Sequence, residues 1–228
     1  MIQGGKVAVI AGANSGLGSE LCARLVRRGF DVAALGREPA LVAVARDVPS
    51  VMPIVCDLCV ASEVDDAFGR IEAVWGATSV VVYNAHRIEL CNFEDTSPAL
   101  FEASWRANCY GAFVVAQRAL PAMLARGGGT LIFSGATGSV RGGRRATAFS
   151  SSKFALRGLA QSLAREYASA GVRVVHVVLD GLIWSERTQE RFNPEERDCM
   201  SASAVAQSYV AVIEQDGSAW TSELDLRR

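Results

Sequence analysis

Three glycines, Gly12, Gly16 and Gly18, stand between two patterned segments. Before them is a short apolar run, Val7-Ala8-Val9-Ile10; after them Leu17, Leu21, Leu25 and Val26 recur at helical spacing. A buried parallel strand reads as the first pattern and an amphipathic helix as the second. A glycine turn at such a junction has defined chemistry. Gly12 permits the tight exit from the strand, Gly16 lets a diphosphate approach the backbone, and Gly18 lets helix and strand pack closely. The helix N-terminus then offers unpaired N–H groups to phosphate. Sites for NAD carry an acid about 20 residues further on, which accepts from the ribose hydroxyls. Here that place holds Gly36 and then Arg37. A guanidinium pairs with a 2′-phosphate, so the expected cofactor is NADP(H).

These residues need a scaffold, and the rest of the chain supplies one. Strand patterns fall at 31–35, 51–56, 79–83, 130–133 and 172–179, with a short one at 223–226. Between them lie helical patterns. One is at 39–47, with Pro39 near its first turn. The next is opened by Ser62 as N-cap with acids in its first turn. A long one runs from Thr96-Ser97-Pro98 to the glycines at 127–129, and others cover 148–170 and 203–214. The glycine- and arginine-rich stretch 135–145 and the stretch 181–200 read as irregular. Strand–helix alternation implies a parallel sheet covered by helices on both faces. With no repeat or linker, residues 1–228 read as one doubly wound α/β domain. Ligands in such sheets bind at the carboxyl ends of the strands, where Gly12, Arg37, Asp57, Asn84, Ser134 and Asp180 fall.

Composition narrows the partners. Half of the 228 residues are hydrophobic, 21% are charged and the net charge is −1, which suits a filled globular core and gives no general attraction to nucleic acid or anionic membrane. No apolar run approaches the roughly 20 residues of a membrane span. The N-terminus runs directly into the first strand, leaving no room for a signal peptide, so a cytoplasmic location is expected. Six cysteines read as reduced, mostly buried small hydrophobes. Cys56-x-x-Cys59 lacks a second ligand pair, and histidine occurs only at 86 and 176, so no metal site is expected.

Taken together these motifs resemble the short-chain dehydrogenase/reductase family over essentially the whole chain. The family's glycine pattern matches Gly12, Gly16 and Gly18, with Ala11 where threonine is usual. Asp57 matches the acid that binds the adenine ring, and Asn84-Ala85 matches an Asn-Ala-Gly motif whose glycine is replaced by His86. Asn108-Cys109-Tyr110-Gly111 matches the Asn-x-x-Gly of the long helix, which makes Asn108 the counterpart of a structural and proton-relay asparagine. Lys153 matches the lysine that holds the nicotinamide ribose. Asp180-Gly181 stands where Pro-Gly is usual, and Thr188 resembles a threonine that contacts the carboxamide. The resemblance implies a seven-stranded, mostly parallel sheet and an oxidoreductase acting on a small carbonyl or alcohol. It also implies cofactor contacts that include Asn14, Ser15, Leu17, Leu58, Ala85 and Gly181. Pairing of the two long helices, where Phe113, Phe154 and Leu163 lie, implies a homodimer or homotetramer.

The departures fall at the catalytic centre. The family's Tyr-x-x-x-Lys reads here Phe149-Ser-Ser-Ser-Lys153. Its tyrosine exchanges a proton with the substrate oxygen, aided by a lysine that lowers the phenol pKa from about 10; phenylalanine has no such proton. The family's serine aligns with Gly135, and the neighbouring Ser134 faces the other side of a strand unless the loop shifts. Asn108, Lys153 and Ser134 are therefore the catalytic candidates, with His86 or a water as other proton sources. Ser150 and Ser151 turn away from the face shared by Phe149 and Lys153. Arg141, Arg144 and Arg145 form a solvated loop face or attract an acidic substrate. The stretch 182–200, with Trp184, Glu186, Arg187 and Arg191, covers the substrate. Two functions compete: an NADP(H)-dependent oxidoreductase with a degenerate centre, and a sensor or scaffold that kept the cofactor and lost turnover.

Overall fold

Strand residues alternate between two separate cores. In a computed structural model that describes residues 5–13, 16–37 and 40–228, β1 (Val7–Ala11) is buried at every position. Val7, Val9 and Ala11 enter one core and Ala8 and Ile10 the other. That two-sided burial is why the segment reads as an unbroken apolar run. It pairs with β2 (Asp31–Gly36) and β4 (Val80–Tyr83), and the sheet continues through β3 (Val51–Val55), β5 (Gly129–Ser134), β6 (Val172–Asp180) and β7 (Glu223–Arg227). The order is β3-β2-β1-β4-β5-β6-β7, and every neighbouring pair is parallel. The expected mostly parallel sheet is thus wholly parallel, and the short seventh strand is real.

Helices cover both faces. Phe68 and Ile71 of α3 (Ala61–Trp75), Val115 and Met123 of α5 (Gly111–Ala125) and Leu156 of α6 (Thr147–Tyr167) fill one core. Leu21 and Leu25 of α1 (Leu17–Arg27), Leu41 and Val44 of α2 (Ala40–Asp47) and Tyr209 of α8 (Ala202–Ile213) fill the other. Three helical details differ from the sequence pattern. α3 begins at Ala61 and is preceded by Val60 with no side-chain cap, so Ser62 lies inside the first turn. The long helix is not uniform: α4 (Pro98–Trp105), capped by Ser97, passes through a π-helical turn at Arg106–Tyr110 into α5. The stretch 181–200 is not wholly irregular and holds α7 (Glu186–Phe192), capped by Ser185. Pro39 lies outside the described residues.

The strand order reverses between β1 and β4, and a crevice opens at the carboxyl ends of such a pair. Gly12 leaves β1 there, and Asn84 and Ala85 leave β4, both donating backbone N–H to Ala11 O (2.7 and 3.1 Å).

Candidate active site

The phosphate loop is built around residues without side chains. Gly12 has φ +89°, and a Cβ on it would lie 2.4 Å from the Ala85 backbone nitrogen, so the two strand exits fit only with glycine there. Asn84 braces the turn by donating from Nδ2 to Gly12 O (3.2 Å). Gly16 has φ +78°, and the atoms nearest to its Cβ direction belong to Ser185, at 3.1 Å. The stretch after β6 therefore lies directly over the loop. Asn14 and Ser15 lie outside the described residues.

A cleft runs from this loop along the ends of β4, β5 and β6. It brings together Gly16, Leu17, Asn84, Lys153, Gly181 and Thr188 among the expected cofactor residues. Gly12, Gly18 and Ala85 pack beneath it. Arg37 and Asp57 stand exposed beyond it, at the ends of β2 and β3, with buried Leu58 alongside. Asp57 Oδ1 accepts from the Cys59 N–H (2.9 Å). Arg37 makes no hydrogen bond or ion pair among the described residues.

Lys153 is 2% exposed. It lies one turn after Phe149 on α6, so both project from one helix face and both line the cleft. Nζ donates to Ser134 O (2.8 Å) and lies 6.0 Å from the centre of the Phe149 ring. Its other two N–H groups have no acceptor among the described residues. Burial without a counterion lowers its pKa to about 7, against a small opposing effect of Cys109.

The other proposed proton donors are placed elsewhere. The Ser134 hydroxyl points away from Lys153 and pairs with Tyr209 Oη (2.9 Å) inside the α8 core, as strand alternation requires; only its carbonyl reaches Lys153. His86 lines the cleft with Nδ1 3.1 Å from Asn84 O. A carbonyl only accepts, so Nδ1 carries the proton and Nε2 is left as an acceptor. Desolvation and the charges of Lys153, Arg187 and Arg191 both act to lower the His86 pKa, but the side chain is exposed at the surface, so the neighbouring positive charges are the firmer cause. In the neutral ring Nε2 offers the cleft an acceptor. Gly135 does not present a side-chain direction to the cleft either. A Cβ there would lie 2.2 Å from His176 Nε2. Of Ser134, Gly135 and Ala136, which all line the cleft at this strand end, Ser134 turns its hydroxyl to Tyr209 and Ala136 has none.

Asn108 sits in the π-turn, fully buried. Its Oδ1 accepts from the Arg87 N–H, and Nδ2 donates to Arg87 O and Ser152 Oγ, each at 2.9 Å. The side chain thus ties the loop after β4 to α6 one residue before Lys153. Its functions as seen are bracing ones.

A lid closes the far side. Trp184 N–H donates to Met200 O (3.0 Å) and Met200 N–H to Leu182 O (2.8 Å), which pins the start of the lid to the segment leading into α8. Arg191 of α7 reaches back to Ile88 O and to Glu89 (3.4 Å). Ser185, absent from the sequence reading, accepts from the Thr188 N–H (3.1 Å) and shares a 2.8 Å hydrogen bond with its hydroxyl. The signal for it was there: a Ser-x-x-Thr helix start following strand six. Of the loop arginines, Arg141 lies 3.5 Å from Asp180 and Arg145 donates to Leu90 O, while Arg144 is exposed.

This sheet, with a glycine loop at its switch point and a buried lysine facing the same cleft, defines a doubly wound dinucleotide-binding protein. The chain belongs to the short chain dehydrogenase family, whose pattern it matches over residues 6–196. That family consists of oxidoreductases that bind a nicotinamide cofactor and act on small molecules. An uncharacterised oxidoreductase of Staphylococcus aureus is 26% identical over 225 residues, covering 97% of this chain and 96% of its own. Another from Thermotoga maritima is 29% identical over 215 residues, with 84% and 79% covered. Among solved structures, a short-chain dehydrogenase from Rhodopseudomonas palustris superposes with a TM-score of 0.85 at 28% identity over 98% of both chains. A variant of actinorhodin polyketide ketoreductase with NADPH shares the fold, with a TM-score of 0.89, 24% identity and 97% and 95% coverage.

The residues fit a nicotinamide cofactor. The glycine cradle is filled by any Cβ at Gly12, and in the cleft Lys153 holds two N–H groups without acceptors among the described residues.

Proposed function

We propose that this protein is an NADP(H)-dependent oxidoreductase acting on a carbonyl or alcohol of a small molecule, at a centre where Phe149 replaces the usual tyrosine. The cofactor, when bound, supplies or accepts the hydride. The chain's own residues do the rest. Gly12 and Gly16 admit the diphosphate, and Arg37, with no carboxylate partner among the described residues, takes the 2′-phosphate. Asp57 and Leu58 flank the adenine, Asn84 and Lys153 hold the nicotinamide end, and Gly181, Ser185 and Thr188 close over it. The observation that carries this reading is the unmet N–H pair of Lys153 in a cleft whose further wall is apolar, with Phe149, Ile88, Leu182 and Phe192. A cleft that continues past the cofactor residues into apolar lining suits a substrate as well as a cofactor. Positioning two reactants in it supplies several kcal/mol of rate without the tyrosine.

A second reading, a cofactor sensor without turnover, is favoured by one observation: Gly135, Ala136 and Phe149 offer no hydroxyl where the family uses two. Calorimetric titration separates cofactors first. NADPH should bind about 10- to 100-fold more tightly than NADH, as expected for a charged hydrogen-bonded pair, and Arg37→Ala should abolish the difference. Equal affinities in the wild type would refute the NADP(H) assignment. A screen of NADPH oxidation across aldehydes, ketones and quinones then decides function. Turnover that Lys153→Ala abolishes supports the oxidoreductase; tight binding with no turnover, and activity only in Phe149→Tyr, supports the sensor. We further place the protein in the cytoplasm, with its six described cysteines free, and assign it a homodimeric or homotetrameric state.

A further inference from the structure

The chain holds 23 basic residues besides histidine, yet only two are lysines, Lys6 and Lys153. Arginine fills the other positions, and its guanidinium does not release a proton in proteins. At 153 the chain keeps the one basic side chain whose proton is transferable, and it buries it. We propose that Lys153 is itself the proton donor to the substrate oxygen during carbonyl reduction, taking over the step for which Phe149 has no hydroxyl. This rests on the oxidoreductase reading above.

The placement follows from elimination and geometry together. Lys153 Nζ lies over the Phe149 ring, 6.0 Å from its centre, and both side chains line the cleft. With no phenol on that ring, the protons beside it are those of the ammonium. One is held by Ser134 O at 2.8 Å, and the other two have no acceptor among the described residues. The other side-chain donors on the cleft wall are held elsewhere or too weakly acidic, the Asn84 amide among them, which donates to Gly12 O. His86 presents an acceptor, the Ser134 hydroxyl is bound to Tyr209, and Arg187 and Arg191 are too weakly acidic. Ser185 and Thr188 are neutral alcohols bonded to each other. The titratable groups that face Lys153 are Cys109 of the π-turn, His86 after β4 and His176 of β6. Burial raises the Cys109 pKa and lowers that of His176, and neighbouring positive charges act to lower that of the exposed His86, so none of the three is an anion near neutrality. No anion fixes the proton on nitrogen, and burial brings the ammonium to about 7, the range in which a general acid works best.

The step balances simply. Hydride adds to the carbonyl carbon and the C=O electron pair stays on oxygen. An N–H bond of Lys153 breaks, an O–H bond forms, the nitrogen keeps its electron pair, and solvent restores its proton. Transfer is direct or across one water in the space a phenol would fill, both within reach of a general acid.

Two lysines make the test clean. In protein grown with 13C-lysine, the two side-chain Cε signals are assigned with Lys6→Arg and followed against pH, with and without NADP+. Lys153 should titrate near neutrality. The kcat/KM for ketone reduction should fall about tenfold per pH unit above that same midpoint. Lys153→Arg should leave the NADPH dissociation constant within about threefold and lower kcat by 10²-fold or more. Adding Phe149→Tyr to Lys153→Arg should restore turnover, because the phenol then supplies the proton. A Lys153 midpoint above 9, or a Lys153→Arg variant with wild-type kcat, would overturn the proposal while leaving an active reductase. No turnover of any carbonyl, even by Phe149→Tyr, would remove the oxidoreductase reading and the acid role with it.

Discussion

His176 occupies the middle of β6 and is 1% exposed. Its Nδ1 lies 3.1 Å from Glu223 Oε2 and its Nε2 3.2 Å from Ser139 Oγ. Arg157 holds the same carboxylate by two bonds of 2.7 Å and depresses the Glu223 pKa. Burial lowers the His176 pKa from 6.5 to about 4, against the opposing pull of Glu223. The sign of the consequence is fixed. Below pH 6.5 the unfolded chain takes up a proton at His176 that the folded chain refuses, so the His176 contribution to stability falls as pH drops from 6.5 to 4 and is level above 6.5. At 1.36 kcal/mol per pH unit the loss reaches roughly 3 kcal/mol. Urea unfolding at pH 7.5, 6, 5 and 4.5 should show the decline, and His176→Gln should make it shallower within that window. An unchanged slope in the variant would assign the acid sensitivity to other groups. The sequence showed that His176 and His86 were the only histidines, but not their roles. Those depend on Glu223, 47 residues away, and on the Asn84 carbonyl, and neither partner follows from spacing.

At the end of β5, alternation decides which residue meets the cleft. Ser134 turns to Tyr209, the side-chain direction of Gly135 runs into the His176 ring, and Ala136 lines the cleft. Restoring a serine by alignment at Gly135 should therefore fail. Gly135→Ser drives a side chain into a buried ring and should cost about 1–3 kcal/mol by overpacking, without raising turnover. Ala136→Ser should keep stability within about 0.5 kcal/mol and bring a hydroxyl to the substrate side. Thermal melts with steady-state rates on both variants check this; a stable, more active Gly135→Ser would show that the loop rearranges. The strands themselves were legible because both of their faces are buried, which writes an unbroken apolar run into the chain. The lid was not. Glu186-Arg-Thr-Gln-Glu-Arg-Phe192 has no apolar face, and its short helix rests on the Ser185 cap and on Arg191 bonds to Ile88 and Glu89. Nor was the π-turn legible, since one extra residue in a helix barely disturbs its periodicity, yet it is that turn which presents Asn108 to Arg87 and Ser152.

Over the whole molecule, strand–helix alternation was enough to give the parallel sheet, and the sheet in turn gives the site, because the order reverses where the glycine loop leaves β1. The outer surface carries a feature the alternation does not explain. Phe101 and Trp105 of α4, Phe113 of α5 and Phe154 of α6 are each 40–44% exposed. Tyr110 stacks on Trp105 with ring centres 5.7 Å apart and lies 6.3 Å from Phe113. Leu163, on the same α6, instead packs against the core. We propose that this aromatic surface on adjacent helices is the face that pairs with the same patch of a second copy about a two-fold axis. Light scattering at micromolar concentration should give a dimer or tetramer. Phe113→Asp with Phe154→Asp should shift it toward monomer while the far-ultraviolet dichroism stays that of the folded protein. Phe154 is the residue after Lys153, and Phe113 lies three residues past the π-turn, so we propose that a dimer formed through this face would buttress both site helices from outside. The dissociated variant should therefore lose kcat more than NADPH affinity. A wild-type protein that stays monomeric at those concentrations would leave the aromatic face without this partner.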